Sequence, residues 1–319
     1  MLPLFIFLAL STIECILIAL VPAISLLTTI LWGATLIIAG TYVSRSQLFI
    51  VFLTNLVILF ILLGLNGTLL FLLFFGLAGI AMSYLSNCDN NYYFIQRSGV
   101  VTVLIGISIF LSFFYYGTDQ AGLPEQEAEL KAYMQEAIDN FEEYDFYQIY
   151  EEQGITKADI EESFNDMVTI IFNHLPALYY VQGIMVIFFM LFLAERVSQT
   201  HGNKRLKKQP FVREIMPWQV VWIFIAGLGL WLWGREQASN IYYAGSNILA
   251  IITPIALYYG LSVVLYLWSK THMKKNIFFM IFGLFFILIF TIPFIILLIL
   301  IGLFDALIDY RKIRLQEEV

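Results

Sequence analysis

Glu14 stands alone among apolar residues in the stretch STIECILIAL. A carboxyl group inside hydrocarbon costs a few kcal/mol unless it is paired, protonated or hydrated, and such residues mark solute, ion or proton pathways. Asn173 and His174 lie just before Pro176, whose missing N–H frees a backbone carbonyl that a polar ligand can use. Asn247, in GSNILAI, adds an amide at the start of another apolar run. Glu14, Asn173, His174 and Asn247 are therefore the candidate ligand-binding residues. The end of the chain offers a second set, in GLFDALIDYRKI. On a continuous helix Asp305, Asp309 and Lys312 fall at i, i+4 and i+7 on one face, with Arg311 and Arg314 directed away towards headgroups. Asp305, Asp309 and Arg311 are expected to form an anchor at the membrane boundary. Asp305, a turn deeper, is expected to need a partner on another helix.

Signatures of catalysis are missing. The chain has no HExxH, no GxxxxGK[ST] and no glycine-flanked serine of the hydrolase kind. GLFD departs from the GxGD of intramembrane aspartyl proteases, because Phe304 replaces the second glycine. Cys15 and Cys88 form neither a CxxC nor a metal-ligand spacing. The expectation is a protein that is not an enzyme, with no metal and no cofactor. The KRLKK run sits in a short loop beside apolar blocks, so contact with anionic lipid explains it better than nucleic acid does.

What must position these residues is a membrane bundle. Of 319 residues 60% are hydrophobic and only 13% charged, with a mean hydropathy of +0.82. The apolar residues come in blocks near the ~20 residues that a bilayer-spanning helix needs. Blocks at about 3–22, 23–43, 48–64, 68–86 and 99–117 give five spans in a first half, residues 1–117, with the third and fourth joined at Asn66-Gly67. Residues 118–166 break the pattern, holding fifteen of the 24 acids and two bases. There Leu130, Tyr133, Met134, Ile138 and Phe141 recur at helical spacing, and Thr156 to Asp159 forms a capped helix start. The insert reads as an acidic helical hairpin that runs on into the sixth span. The second half, 167–319, contains spans at about 167–194, 217–234 and 244–268, a basic loop at 196–214, and a final stretch at 276–308. That stretch is read as two short legs folded near Pro293. The expected fold is all-α, a polytopic bundle of eight to ten spans.

The positive-inside rule orients it. With 196–213 in the cytoplasm, alternation puts Arg45, Arg97, Lys270, Lys274 and Lys275 inside and the acidic insert outside. Both termini then lie in the cytoplasm.

Several stretches resemble the YybS-like bacterial membrane proteins, a family of uncharacterised function. They are Thr12 to Glu14, GLAGIAM at 76–82, LPALYYV at 175–181, SN at 246–247 with GLSVV at 260–264, and the closing Gly302, Asp305, Asp309, Arg311 pattern. The family is distantly similar to the substrate-binding S components of energy-coupling-factor transporters. The resemblance implies a bacterial inner-membrane bundle that binds a small solute, with transporter coupling subunits or a second copy as partners besides the lipid bilayer. The acidic insert departs from that pattern. It supports the alternative of a membrane scaffold or regulator docking an envelope partner.

Overall fold

A computed structural model of the chain describes residues 2–88, 90–116, 123–139, 156–200, 206–235, 240–270 and 289–313. All regular structure among them is helical. Among the described residues seven helices are long and apolar enough to cross a membrane, and Gln219–Gly234 is a shorter apolar one. Large apolar side chains such as Phe5, Ile61 and Phe113 point outwards, while Asn55, Ser83 and Ser262 are fully enclosed. That distribution suits a hydrocarbon solvent, in which backbone groups must be satisfied within the helix. The chain divides into two compact units, Met1–Lys208 and Gln209–Val319.

In the first unit, α1 (Leu2–Leu20) and α2 (Ser25–Tyr42) are joined by a 3-10 turn at Pro22–Ile24. The proline occupies the first position of that turn, where its absent N–H costs nothing. Next comes α3 (Arg45–Phe71), opened by a capping box in which Gln47 N donates to Ser44 Oγ and Ser44 N donates to Gln47 Oε1. It continues through a π turn at Leu72–Gly76 into α4 (Leu77–Asn87). A straight helix of this length would hold its ends roughly 64 Å apart. Instead Arg45 Nε donates to Asn87 Oδ1 at 3.3 Å, so the segment folds back on itself.

The reversal is at Gly64, with φ 70° and ψ −174°. This backbone region is open to glycine and costs other residues of order 1–3 kcal/mol. The joint expected at Asn66-Gly67 therefore falls two residues earlier, and Asn66 and Gly67 continue helically. The returning leg closes on α2, where Asn87 Nδ2 donates to the Gly40 and Val43 carbonyls, each at 2.8 Å. Two helices complete the bundle's membrane part: α5 (Tyr92–Tyr116), and the middle of a 44-residue helix, α7 (Lys157–Thr200). Tyr180 and Ser108 hydroxyls, 2.8 Å apart, tie α7 to α5.

The acidic insert contributes α6 (Leu123–Asp139), which packs on the first turns of α7. Gln135 Nε2 donates to Glu161 Oε1 at 2.9 Å, and Thr169 Oγ1 to Glu127 Oε1 at 3.3 Å. At about 1.5 Å per residue α7 reaches roughly 66 Å, so one helix carries both the insert's second arm and a span. Phe141 lies outside the described residues.

The second unit contains α8 (Gln219–Gly234), α9 (Asn240–Lys270) and α10 (Thr291–Ile308). The central helix is α9, packed against both others. At its crossing with α10, the backbone of Gly260 meets the Leu298 carbonyl and that of Gly302 meets the Ala256 carbonyl, so neither position has room for a methyl group. Small residues permit such close approach where lipid supplies no hydrophobic drive. On α8, Trp222 and Trp233 face outwards, as does Trp218 just before it. Of the two legs expected within 276–308, the second is α10, about 27 Å long by its 18 residues. The first leg lies outside the described residues.

Candidate functional site

In the first unit, polar side chains converge where α1, α2 and α3 meet. Ser11, Glu14, Cys15 and Ile18 share one face of α1 by their spacing, and Ser11, Cys15 and Ile18 are buried. Thr35 Oγ1, on α2, donates to Glu14 Oε1 at 2.9 Å. Ser11 Oγ donates to Asn55 Oδ1, on α3, at 3.1 Å. Two groups are left over: Glu14 Oε2 and Asn55 Nδ2 are both enclosed and have no hydrogen-bond partner among the described residues. An unmet buried polar group costs about 1–3 kcal/mol. An acceptor and a donor thus stand unmet on helices joined by the Ser11–Asn55 bond, within predominantly apolar spans.

The other candidates of the first unit lie on α7. His174 Nδ1 is 2.8 Å from the Ile170 carbonyl, and Pro176 inside the helix removes the N–H that would bond Phe172. Both Asn173 and His174 are half-buried. Asn247 belongs to the second unit, where its Nδ2 donates to the Tyr243 carbonyl one turn back on α9, at 2.8 Å. The hydrogen bonds described for His174 and Asn247 therefore run within their own helices, whereas Glu14 is bonded across helices.

In the second unit a buried guanidinium has every N–H group bonded. The α10 helix stops at Ile308 because Asp309 adopts a left-handed conformation, φ 49°, and Lys312 does so again at φ 53°. Asp309 Oδ1 accepts from Ile313 N at 3.1 Å and Lys312 N donates to the Asp309 carbonyl at 2.9 Å, closing a tight turn. This turn swings Arg311 back beneath the helix. Its Nε and Nη2 donate to Asp305 Oδ2 at 3.2 and 2.8 Å, Nη1 to the Val212 carbonyl and Ser262 Oγ at 2.7 and 2.9 Å, and Nη2 to the Glu214 carbonyl at 2.6 Å. All five guanidinium N–H groups are engaged, and the Arg311–Asp305 ion pair is almost wholly buried.

This corrects the expected face of Asp305, Asp309 and Lys312, and the outward Arg311. The helix does not continue, and the partner Asp305 needs is Arg311 from its own segment. The left-handed turn at Asp309 is the reason, since aspartate tolerates that region better than most residues. Around the pair, Tyr258 Oη donates to Glu214 Oε2 at 2.6 Å and Ser262 Oγ to the Phe211 carbonyl at 2.6 Å. Tyr266 Oη donates to the Arg311 carbonyl at 3.4 Å. Sequence reading missed Ser262, Glu214 and Tyr258. The available signal was Glu214, an acid among the bases of 204–213 and close before a span.

Helices of this length and polarity, with apolar surfaces outside and bonded polar groups within, define a polytopic helical membrane protein. Residues 9–306 match the family described as "Predicted membrane protein (DUF2232)", and the chain belongs to that family. No curated protein and no solved structure matches the chain. The matched region includes Glu14, Asn55, Asn173, His174, Asn247 and Asp305 and stops before Arg311.

Proposed function

We propose that the protein is a small-solute-binding membrane subunit of a transport system, with Glu14 as the central ligand. The observation that carries this reading is the Glu14 carboxylate itself. One oxygen is held by Thr35 and the other is enclosed with no partner among the described residues, so the group is oriented yet incompletely satisfied. Asn55 offers an unmet donor on a helix linked to the same face of α1 through Ser11. A polar solute or its hydration water that presents a donor to Glu14 and an acceptor to Asn55 would meet both needs. Asn173 and His174 supply polar groups on α7, where Pro176 frees a carbonyl. The resemblance to a family distantly similar to S components favours the same reading, with coupling subunits supplying energy. It is a binding role rather than an enzymatic one, in a bacterial inner membrane with the insert outside.

The test is ligand-induced thermal stabilisation of the purified protein across vitamins, nucleobases and metal ions, repeated with Glu14→Gln. A ligand that stabilises the natural protein and not the variant supports the proposal. No stabilisation by any of them, together with an unaltered cell carrying Glu14→Gln, would sink it. A second reading rests on α6, which packs on α7 and leaves Glu129, Glu136 and Glu162 exposed. An acidic helical pair of this kind suits a scaffold for an envelope partner. Deleting 124–166 separates the two readings, because a solute-binding core would keep its ligand and a scaffold would lose its partner.

A further inference from the structure

One cleft in the second unit has the chemistry of an anion site. It encloses about 390 Å³ and is lined by Val212, Arg213, Tyr266, Ser269, Lys270 and Ile313. Two of these are cations and none is an acid. Lys270 Nζ lies 4.5 Å from the centre of the Tyr266 ring, a cation–π contact that holds the ammonium at the cleft wall. Arg213 ends the 3-10 turn Phe211–Arg213 and is exposed. Two carboxylates lie close by: Asp305 is already engaged by the buried Arg311, and Glu214 is buried and accepts from Tyr258 Oη. The carboxyl end of α9 contributes roughly half a negative charge, which two full positive charges outweigh.

The position of the cleft names the source of the anion. The 31 residues of α9 span about 46 Å, some 16 Å more than the hydrocarbon core. Ser269 and Lys270, its last residues, therefore reach headgroup depth. Tyr266 and Trp268 place aromatic rings just short of them, as expected at an interface. The Arg311 turn reaches the cleft through Ile313, which follows it directly, is buried and lines the cleft.

We propose that this cleft binds the phosphate of an anionic glycerophospholipid headgroup, with Arg213 and Lys270 as its two charged contacts. Bound there, the lipid bridges the segment before α8 and the end of α9, next to the turn that Arg311 locks. The proposal is independent of solute binding at Glu14.

The test uses the full chain, purified, delipidated and returned to phosphatidylcholine, then titrated with phosphatidylglycerol and followed by native mass spectrometry. The natural protein is expected to retain phosphatidylglycerol in preference to phosphatidylcholine. The double variant Arg213→Ala/Lys270→Ala is expected to bind it at least about tenfold more weakly, as the loss of two cations facing an anionic surface requires. Exchanging the two charges, Arg213→Lys with Lys270→Arg, is expected to preserve retention and guards against a folding defect in the alanine variant. Arg235→Ala, which removes a cation at the far end of α8, is expected to change little. Equal retention of the two lipids, or an equal loss from Arg235→Ala and the double variant, overturns the site. Displacement of phosphatidylglycerol by millimolar inorganic phosphate overturns the lipid assignment in favour of a soluble phosphate compound.

Discussion

Arg311 is the residue whose loss should cost the second unit most. Removing one member of a buried ion pair typically destabilises by about 3–5 kcal/mol, because the other charge is left uncompensated. Arg311→Ala strips Asp305 of its only described partner and also abandons the Val212 and Glu214 carbonyls. Arg311→Lys is expected to recover only part of this, since an ammonium cannot reproduce the planar fork. Asp305→Asn is expected to lower the melting temperature in detergent more than Asp309→Asn does. Asparagine at 309 keeps a side-chain oxygen for Ile313 N and tolerates φ near +50°, whereas asparagine at 305 leaves the buried guanidinium unbalanced. Equal melting temperatures for the two variants would contradict the burial argument. Both aspartates are visible in the sequence. The partner of Asp305 is not, because the turn that brings Arg311 back to it depends on one left-handed residue.

At the scale of elements, two backbone features govern how the helices meet. Gly64 has open space around it, so a substitution there meets no neighbour and acts only through its φ of 70°. Gly64→Ala is expected to cost about 1–3 kcal/mol from backbone strain alone, read as a lower melting temperature and weaker exchange protection near residues 60–70. Gly302 is the opposite case, with helical backbone and no space. Gly302→Leu is expected to separate α9 from α10 and abolish a stable fold of the second unit. Gly229→Leu, on α8 where nothing approaches the added carbon, is the matched control and is expected to melt like the natural protein. The hydropathy pattern separates blocks 48–64 and 68–86 but does not choose among Gly64, Asn66 and Gly67 as the turning point. Only glycine suits φ 70° with ψ −174°, and which of two glycines takes that conformation is set by closure of the returning leg onto α2.

For the whole molecule, the division at Lys208 makes a prediction about how damage spreads. Each unit has its own buried cluster, built around Trp32, Met82, Ile187 and Met190 in one and Met216, Ala256, Leu303 and Ala306 in the other. Hydrogen exchange on Arg311→Ala is therefore expected to show lost protection in α8 to α10, with α1 to α5 unchanged. Orientation is a separate matter, resting on the distribution of Lys and Arg. With Cys15 and Cys88 replaced, cysteines introduced at Lys207 and at Lys270 are expected to react with an impermeant maleimide from the cytoplasmic side. A cysteine at Tyr133, exposed on α6, is expected to react from the other. Labelling of 207 and 133 from one side would overturn the positive-inside assignment.

Composition and hydropathy by themselves determined that this is a helical membrane protein, where most of its spans lie, and that an acidic helical insert interrupts them. Those properties are sums over many residues, and the bilayer imposes one length and one secondary structure on every apolar block. Tertiary structure alone decided which isolated polar groups meet: Glu14 with Thr35, Ser11 with Asn55, and Arg311 with Asp305, Ser262 and the carbonyls before α8. Such pairings join residues up to 99 positions apart, and each is fixed by a local event that no periodicity encodes. A reversal at Gly64 and a left-handed Asp309 each redirect a whole segment. The sequence therefore displays the polar residues, and the packing selects their partners.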